Sequence, residues 1–425
     1  MYEIINVAGA DLIFSPFKNI ETASLGVFLH VGSRVEKAST RGIAHFLEHM
    51  VFKGSKNYSC RRIKQEIEGR GGALNAFTSQ EITGYYAHFL NKNLPKTLKI
   101  ILDMVLFPLF NTADINKERR VILEEIKMYN DLPSSRVMVL LDHLLWKKHP
   151  LGQEIVGKAS TVSKIRRFDL VDFKSKYYLP SNMVVSFSGD YSKRRIVELL
   201  NDKLIKTKRR INVKLLPPPA TSGLQVKCEK KSIQQTHLCL GFRSLPYAHP
   251  KRLVAQLIHV ILGANMSSRL FEELREKKSL CYDISTEVRR YKDSGAFVIH
   301  LGLDKEMIEV AILSILKELK KIKDKKVSGK ELSRAKDYSL GHIAMALERP
   351  QGRMFYAANN YINLGRIKSF DQIRKKVQAI TAEEVQALSN KIFKFKDLCV
   401  SCVGNIEPDF EPKIKEIIKK GGYYS

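Results

Sequence analysis

The segment KYYLPSNMVVSFSGDYSKRRIVELL (176–200) carries an apolar strand that ends near a glycine and then a helix. Close to the other end of the chain, KDLCVSCVGNIEPDFEPKIKEII (396–418) has the same order. The halves that these segments close also open alike. ASLGVFLHVG (23–32) and THLCLGFRSL (236–245) read as strands, and each is followed by a helical run, 41–52 or 251–262. An internal duplication accounts for both matches. Between these ends, apolar spacing predicts helices over 91–108, 114–130, 133–147, 304–322 and 329–347, and alternation predicts strands over 74–78, 82–89 and 294–301. The expected fold class is therefore α+β: two homologous domains, each a largely antiparallel sheet packed with helices. The stretch KTKRRINVKLLPPPATSG (206–223) joins a charge run to three prolines and a Ser-Gly exit. It reads as a linker, which sets the domains at 1–206 and 224–425 with 207–223 between them.

Length and composition support two real cores. The chain has 425 residues, 44% of them hydrophobic and 27% charged, so a disordered chain is excluded. No stretch approaches the roughly 18 uninterrupted apolar residues of a membrane-spanning helix. The N-terminal MYEIINVAGADLIFSP has neither a basic region nor a long apolar one, so a cytoplasmic location is the expectation. Lys and Arg number 72 against 44 Asp and Glu, and 72 − 44 gives a net charge of +28. Such a surface attracts anions, yet the basic residues are dispersed and no nucleic-acid recognition motif accompanies them. No nucleic-acid partner is expected. The six cysteines are sparse and irregular, as for free thiols in a reducing compartment. Cys399 and Cys402 fall in a strand-like run, LCVSCV, where odd spacing sends them to opposite faces of a core.

The chemistry concentrates in TRGIAHFLEHMVFKG (40–54), where His45, Glu48 and His49 form H-x-x-E-H. On a helix, positions i and i+4 share a face, so both imidazoles reach one metal ion while Glu48 hangs beside them. A chain of this composition meets the pattern by chance only about 0.03 times. The competing reading puts both histidines in an apolar helix with Phe46, Leu47, Met50 and Phe52. Burying them beside a carboxylate without a partner is expensive.

Catalytic zinc takes three protein ligands and keeps a fourth position open. NKERRVILEEIKMYND (116–131) offers Glu118 and Glu125, seven residues apart and so on one face of a helix, whereas Glu124 points away. Either carboxylate suits a ligand role, with the other holding a histidine tautomer. Spacing does not choose between them.

With these residues in view, the chain resembles the pitrilysin or insulinase family of inverted-motif zinc peptidases, in the two-domain branch related to the mitochondrial processing peptidase. That family has its glutamate ligand about 76 positions after the second histidine, and 125 − 49 is 76. The resemblance implies one zinc ion per chain held by His45, His49 and Glu125, with Glu48 as general base and Glu118 in the outer shell. GGALNAFTSQEITGYY (71–86) is similar to the family's substrate-binding edge strand, which implies that Asn75, Ala76 and Phe77 pair with a peptide backbone. SSRLFEELREKKSLCYDI (267–284) resembles the family's substrate-contacting Arg and Tyr, here Arg275 and Tyr282. Ser279 departs from the usual glycine of that motif; if the turn is left-handed, it costs about 1–2 kcal/mol.

The resemblance further implies an endopeptidase that cleaves extended or unfolded peptides inside a chamber of four domains. Two chains build such a chamber. Retention of both motifs in one chain favours a homodimer, with a heterodimer with a sister chain as the other arrangement. A non-catalytic structural subunit of the same fold and a basic nucleic-acid-binding protein are the rival functions. The stretch GQEIVGKAS (152–160) almost matches a phosphate-binding loop, but Ala159 stands where the hydroxyl belongs, so no nucleotide is expected.

Overall fold

The computed structural model of the chain describes residues 2–205 and 215–422, so positions 207–214 of the expected linker lie outside the described residues. Eleven strands among the described residues form two sheets. The first contains β1 (Glu3–Val7), β2 (Ala10–Pro16), β3 (Thr22–Leu29), β4 (Ala73–Thr78), β5 (Thr83–Leu90) and β6 (Met183–Gly189), in the order β1-β2-β6-β3-β5-β4. The second contains β7 (Gln225–Lys230), β8 (Thr236–Ser244), β9 (Cys281–Arg290), β10 (Gly295–Leu303) and β11 (Cys399–Gly404), in the order β7-β11-β8-β10-β9. Matching β2 through β6 with β7 through β11 makes the two orders identical. In each sheet the first and last of these strands pair in parallel (β2 with β6, β7 with β11), and the other pairings are antiparallel. The α+β class holds, and the two domains are homologous in topology as well as in pattern.

The first half begins two strands before the run at 23–32, and the second begins one strand before the run at 236–245. The strand β2 enters through a two-residue turn with β1 in which Ala8 (φ 51°) and Gly9 (φ 99°) are both left-handed, the geometry that matches the twist of paired strands. The helices expected over 114–130, 133–147 and 329–347 are Thr112–Asp131, Pro133–Trp146 and Gly329–Leu347. Five helices of the first half are labelled α1 (Ile43–Val51), α2 (Cys60–Ile67), α3 (Leu94–Leu106), α4 (Thr112–Asp131) and α5 (Pro133–Trp146).

The compact units are not two contiguous halves. Unit 1 comprises Met1–Lys127, Glu154–Leu216 and Ala344–Ser369; unit 2 comprises Met128–Gln153, Pro217–Ile343 and Phe370–Ser425. The exchange has a physical reason in the helices. In unit 1 the helix Pro350–Leu364 covers one face of β2, β3 and β6, and its Met354, Ala357 and Ala358 close a core with Ile13, Phe28 and Val184. In unit 2, α5 covers the matching strands β7, β8 and β11, and its Leu141, Leu145 and Trp146 close a core with Cys239 and Val403. Each helix sits close to a glycine on the matching strand. A Cβ at Gly26 would lie 3.1 Å from the Met354 sulfur, and one at Gly241 would lie 2.9 Å from Leu141 Cδ1. Packing this close leaves no room for a side chain.

Cys399 and Cys402 are both fully buried and belong to different cores, as their odd spacing requires. No helix among the described residues is long and apolar enough to cross a membrane.

Candidate metal centre

The helix α1 is apolar almost all round: Ala44, Phe46, Leu47, Met50 and Val51 are buried in the unit 1 core. His45, Glu48 and His49 share the remaining face. α4 meets that face through a stripe of Ile115, Glu118, Ile122 and Ile126, in which Glu118 is a buried carboxylate among isoleucines. Two helical turns along, Glu125 is half-buried, while Glu124 is solvated and pairs with Lys127 at 2.7 Å.

His45, His49 and Glu125 each offer one ligand atom, and these atoms lie within 4.8 Å of one another. Glu125 Oε2 is 3.7 Å from His45 Nε2 and 3.6 Å from His49 Nε2. These separations are too long for hydrogen bonds and close to the roughly 3.4 Å edge of a tetrahedron with zinc-to-ligand distances near 2.1 Å. The donor set therefore fits a zinc-like ion. Burial, reinforced by the His49 ring beside it, pulls the His45 imidazole down to about 4, so the ring is neutral at physiological pH and its lone pair is free to bind.

Glu118 sits behind the centre. Its Oε2 accepts a hydrogen bond from His49 Nδ1 at 3.1 Å, which leaves the Nε2 lone pair facing Glu125. Lys53 Nζ lies 2.5 Å from Glu118 Oε1, supplying the countercharge that a buried carboxylate requires. Glu125 thus lies with the two imidazoles, and Glu118 contacts the Nδ1 side of His49.

Glu48 is not part of the three-atom cluster. Thr78 Oγ1 donates to its Oε2 at 2.5 Å, and burial holds its carboxyl above the usual carboxylate range against the pull of that bond. Thr78 is the last residue of β4, the strand that ends the sheet, so one edge of β4 has no strand partner within the sheet. On β4, Asn75 pairs with Tyr86, Ala76 with Tyr85 and Phe77 with Gly84. Asn75 is exposed, Ala76 packs against the α1 side of the core, and Phe77 packs with Phe28 and Phe355 on the other side. The outer edge of β4 thus leaves backbone groups without a strand partner among the described residues, with the Asn75 side chain exposed beside them.

Thr78 and Lys53 escaped the reading of the sequence, although a signal for each existed. Alternation along β4 puts Thr78 on the same face as Ala76, toward α1. Lys53 follows His49 by four residues, just past the end of α1, where it continues the face that carries His45 and His49.

In unit 2, Arg275 and Tyr282 come together: the guanidinium carbon lies 5.3 Å from the Tyr282 ring centre, and the ring is 78% exposed. An exposed aromatic with a cation over it is not a core position. Arg275 lies in a π-helical segment, Phe271–Lys277, and Ser279 follows it at φ 50°, the left-handed conformation on which the cost of a non-glycine residue there depended.

Residues 13–159 match the family described as insulinase, peptidase family M16, and residues 164–338 match the peptidase M16 inactive domain. The chain is 31% identical over 392 residues to the uncharacterized zinc protease YmxG of Bacillus subtilis, covering 91% of this chain and 94% of that protein. The chain belongs to the insulinase family, peptidase family M16. It is also 32% identical to an uncharacterized zinc protease of Rickettsia felis, covering 88% of this chain and 90% of that one. Among solved structures, a protease from Helicobacter pylori has the same fold, with a TM-score of 0.88, 22% identity and coverage of 95% of this chain and 99% of that one. A chain of complex III2 from Candida albicans has it as well, with a TM-score of 0.82, 17% identity and coverage of 98% and 99%.

Proposed function

We propose that this M16-family chain is a zinc-dependent endopeptidase that cleaves peptides bound as an added strand on β4. The observation that carries this reading is the hydrogen bond from Thr78, at the end of an open sheet edge, to Glu48, which stands beside the cluster of His45, His49 and Glu125. A metal site and a peptide-pairing edge are thereby joined through the acid–base residue.

In the proposed mechanism His45, His49 and Glu125 are the ligands of one zinc ion. Zinc bound there supplies Lewis acidity to the scissile carbonyl and lowers the pKa of water. Glu48 takes a proton from the attacking water and returns it to the leaving amine. Thr78 holds one carboxylate oxygen of Glu48, which leaves the other for that proton. Glu118, with Lys53 behind it, keeps the His49 proton on Nδ1. Asn75, Ala76 and Phe77 align the substrate backbone by strand pairing, so extended or unfolded segments are the substrates.

The Arg275 and Tyr282 pair is assigned to substrate contact in a homodimer. Each chain brings one metal-binding domain and one domain with the Arg/Tyr pair, and two chains enclose the chamber. A non-catalytic subunit is the second reading, favoured by the likeness to a chain of complex III2.

Elemental analysis together with cleavage of a quenched peptide library separates the two readings. Glu48→Gln is expected to keep stoichiometric zinc and lose about 10² to 10⁴ in turnover. Glu125→Gln is expected to lose the metal. Metal loss in Glu118→Gln but not in Glu125→Gln would reverse the roles of the two carboxylates, and a wild-type chain without zinc or cleavage would favour the structural subunit. Mixing Glu48→Gln protein with Arg275→Ala/Tyr282→Phe protein tests the dimer: exchange of protomers restores one working site if the pair acts across chains.

A further inference from the structure

Two walls of the metal centre are held by one short stretch of backbone that no ligand belongs to. The residues Gly32–Glu36 follow β3 and precede α1. On one side, the Ser33 N–H donates to Ser79 O at 3.1 Å and the Arg34 N–H to Gln80 O at 2.8 Å. A Cβ at Gly32 would lie 2.1 Å from Ser79 O, so only glycine lets the two backbones meet. The Arg34 side chain is buried, donates to Glu81 at 2.5 Å and donates to Leu216 O at 2.7 Å. The contacts to Ser79, Gln80 and Glu81 grip the turn of the β4–β5 hairpin, just beyond Thr78.

On the other side, Glu36 reaches the start of α1. Its Oε2 accepts the Gly42 N–H at 2.9 Å and its Oε1 the Ala44 N–H at 2.8 Å. The residue at the N-cap of α1 is Gly42, left-handed at φ 94°, and a side chain there would meet Val156 O at 2.7 Å. The helix therefore has no capping side chain of its own, and its first donors depend on a carboxylate six residues upstream.

We propose that Glu36 and Arg34 are positioning residues of the metal centre: Glu36 sets the start of the helix that carries His45, Glu48 and His49, and Arg34 sets the hairpin end that carries Thr78. The five-residue segment thereby fixes the distance between the metal-binding helix and the peptide edge, a role that rests on the peptidase reading above. The two arms fail differently. Loss of Glu36 loosens the ligands, and loss of Arg34 loosens the strand.

Glu36→Gln is nearly isosteric but sets an amide N–H₂ against a backbone N–H that needs an acceptor. Its zinc affinity, measured by competition with a chelating dye, is expected to fall about 10- to 100-fold. Hydrogen exchange over 41–52 in the zinc-free protein is expected to run about 5- to 30-fold faster. kcat on a quenched peptide falls with KM within about twofold, and Glu36→Asp, which keeps the acceptor oxygens, lies between wild type and Glu36→Gln. Arg34→Met is expected to raise KM and speed exchange over 73–83 with zinc affinity unchanged. Ile196→Val, in the helix Lys193–Lys203 of the same unit, is the control for general destabilisation. Glu36→Gln with zinc affinity within twofold of wild type and unchanged exchange over 41–52 would overturn the proposal, as would Ile196→Val reproducing both losses. Zinc affinity and exchange do not depend on turnover, so a protein that binds zinc and cleaves nothing sinks the peptidase reading alone.

Discussion

Replacing Ser279 by glycine should stabilise the protein. Ser279 lies between the π-helical segment with Arg275 and the strand with Tyr282, and its φ of 50° brings its Cβ against its own backbone. Two bonds fix the conformation: Ser279 N–H to Arg275 O at 3.2 Å and Leu280 N–H to Leu274 O at 2.8 Å. A non-glycine residue held there costs about 1–2 kcal/mol. Glycine removes that cost but loses about 0.5–1 kcal/mol of chain entropy on folding. Ser279 is exposed, so little packing is lost. The net expectation is a gain of about 0.5–1 kcal/mol, or about 1–4 °C in Tm. Urea titration with an unchanged m-value is the suitable assay, because it separates stability from changes in the unfolded chain. Ser279→Val, with a branched Cβ in the same conformation, should move the midpoint the other way. A lower midpoint for Ser279→Gly would refute the argument, since backbone strain would then be outweighed at that turn by the entropy that glycine loses.

Thr78→Val should lower kcat about 10- to 100-fold with zinc content unchanged, since a hydrogen bond to a charged group is worth about 1.5–3 kcal/mol; an unaltered kcat would remove Thr78 from the site. Burial pushes the Glu36 carboxyl up to about 8, with the Ala44 and Gly42 amides and then Arg41 opposing it. Because the folded value lies above the unfolded one, this group's stabilising effect is complete below about 4.5 and is lost as pH rises through about 8. Melting curves at pH 5 and pH 8.5 should therefore show a loss of stability in wild type that shrinks in Glu36→Gln; equal slopes would count against the assignment. The net charge of +28 predicts faster capture of acidic or neutral peptides at low ionic strength, with the advantage lost as salt is added. Faster cleavage of arginine-rich peptides that weakens with salt would contradict it.

Local features of the sequence carried much of this structure. The helix pattern over 114–130 is recovered as Thr112–Asp131 because an isoleucine stripe on a polar helix is a strong 3.6-residue signal. The Cys399 and Cys402 alternation needed only the geometry of a strand. The helix Pro350–Leu364 was not legible: its buried core residues are Met354, Ala357 and Ala358, two of them small, set among asparagine and tyrosine, and its partner surface lies more than 150 residues away in the chain. The exchange of α5 and Pro350–Leu364 depends on that long-range packing and leaves no local mark. In the site, His45, Glu48 and His49 announce themselves by spacing, and Glu118 and Glu125 by a common helix face. Glu36 and Thr78 act through contacts 6 to 30 residues away, which no period in the sequence encodes.

The helix exchange bears on synthesis at the ribosome. The first half emerges with all six strands of its sheet by residue 189, but the helix that covers one face of β2, β3 and β6 ends only at Leu364. At about 5–20 residues per second, the 175 intervening residues take roughly 9–35 s to make. For that interval Ile13, Phe28 and Val184 lack the cover of that helix, although in the finished protein each is at most 1% exposed. A nascent chain of this kind offers a chaperone an apolar sheet face for a defined period, and translation pauses between residues 189 and 364 should lengthen its dependence on one.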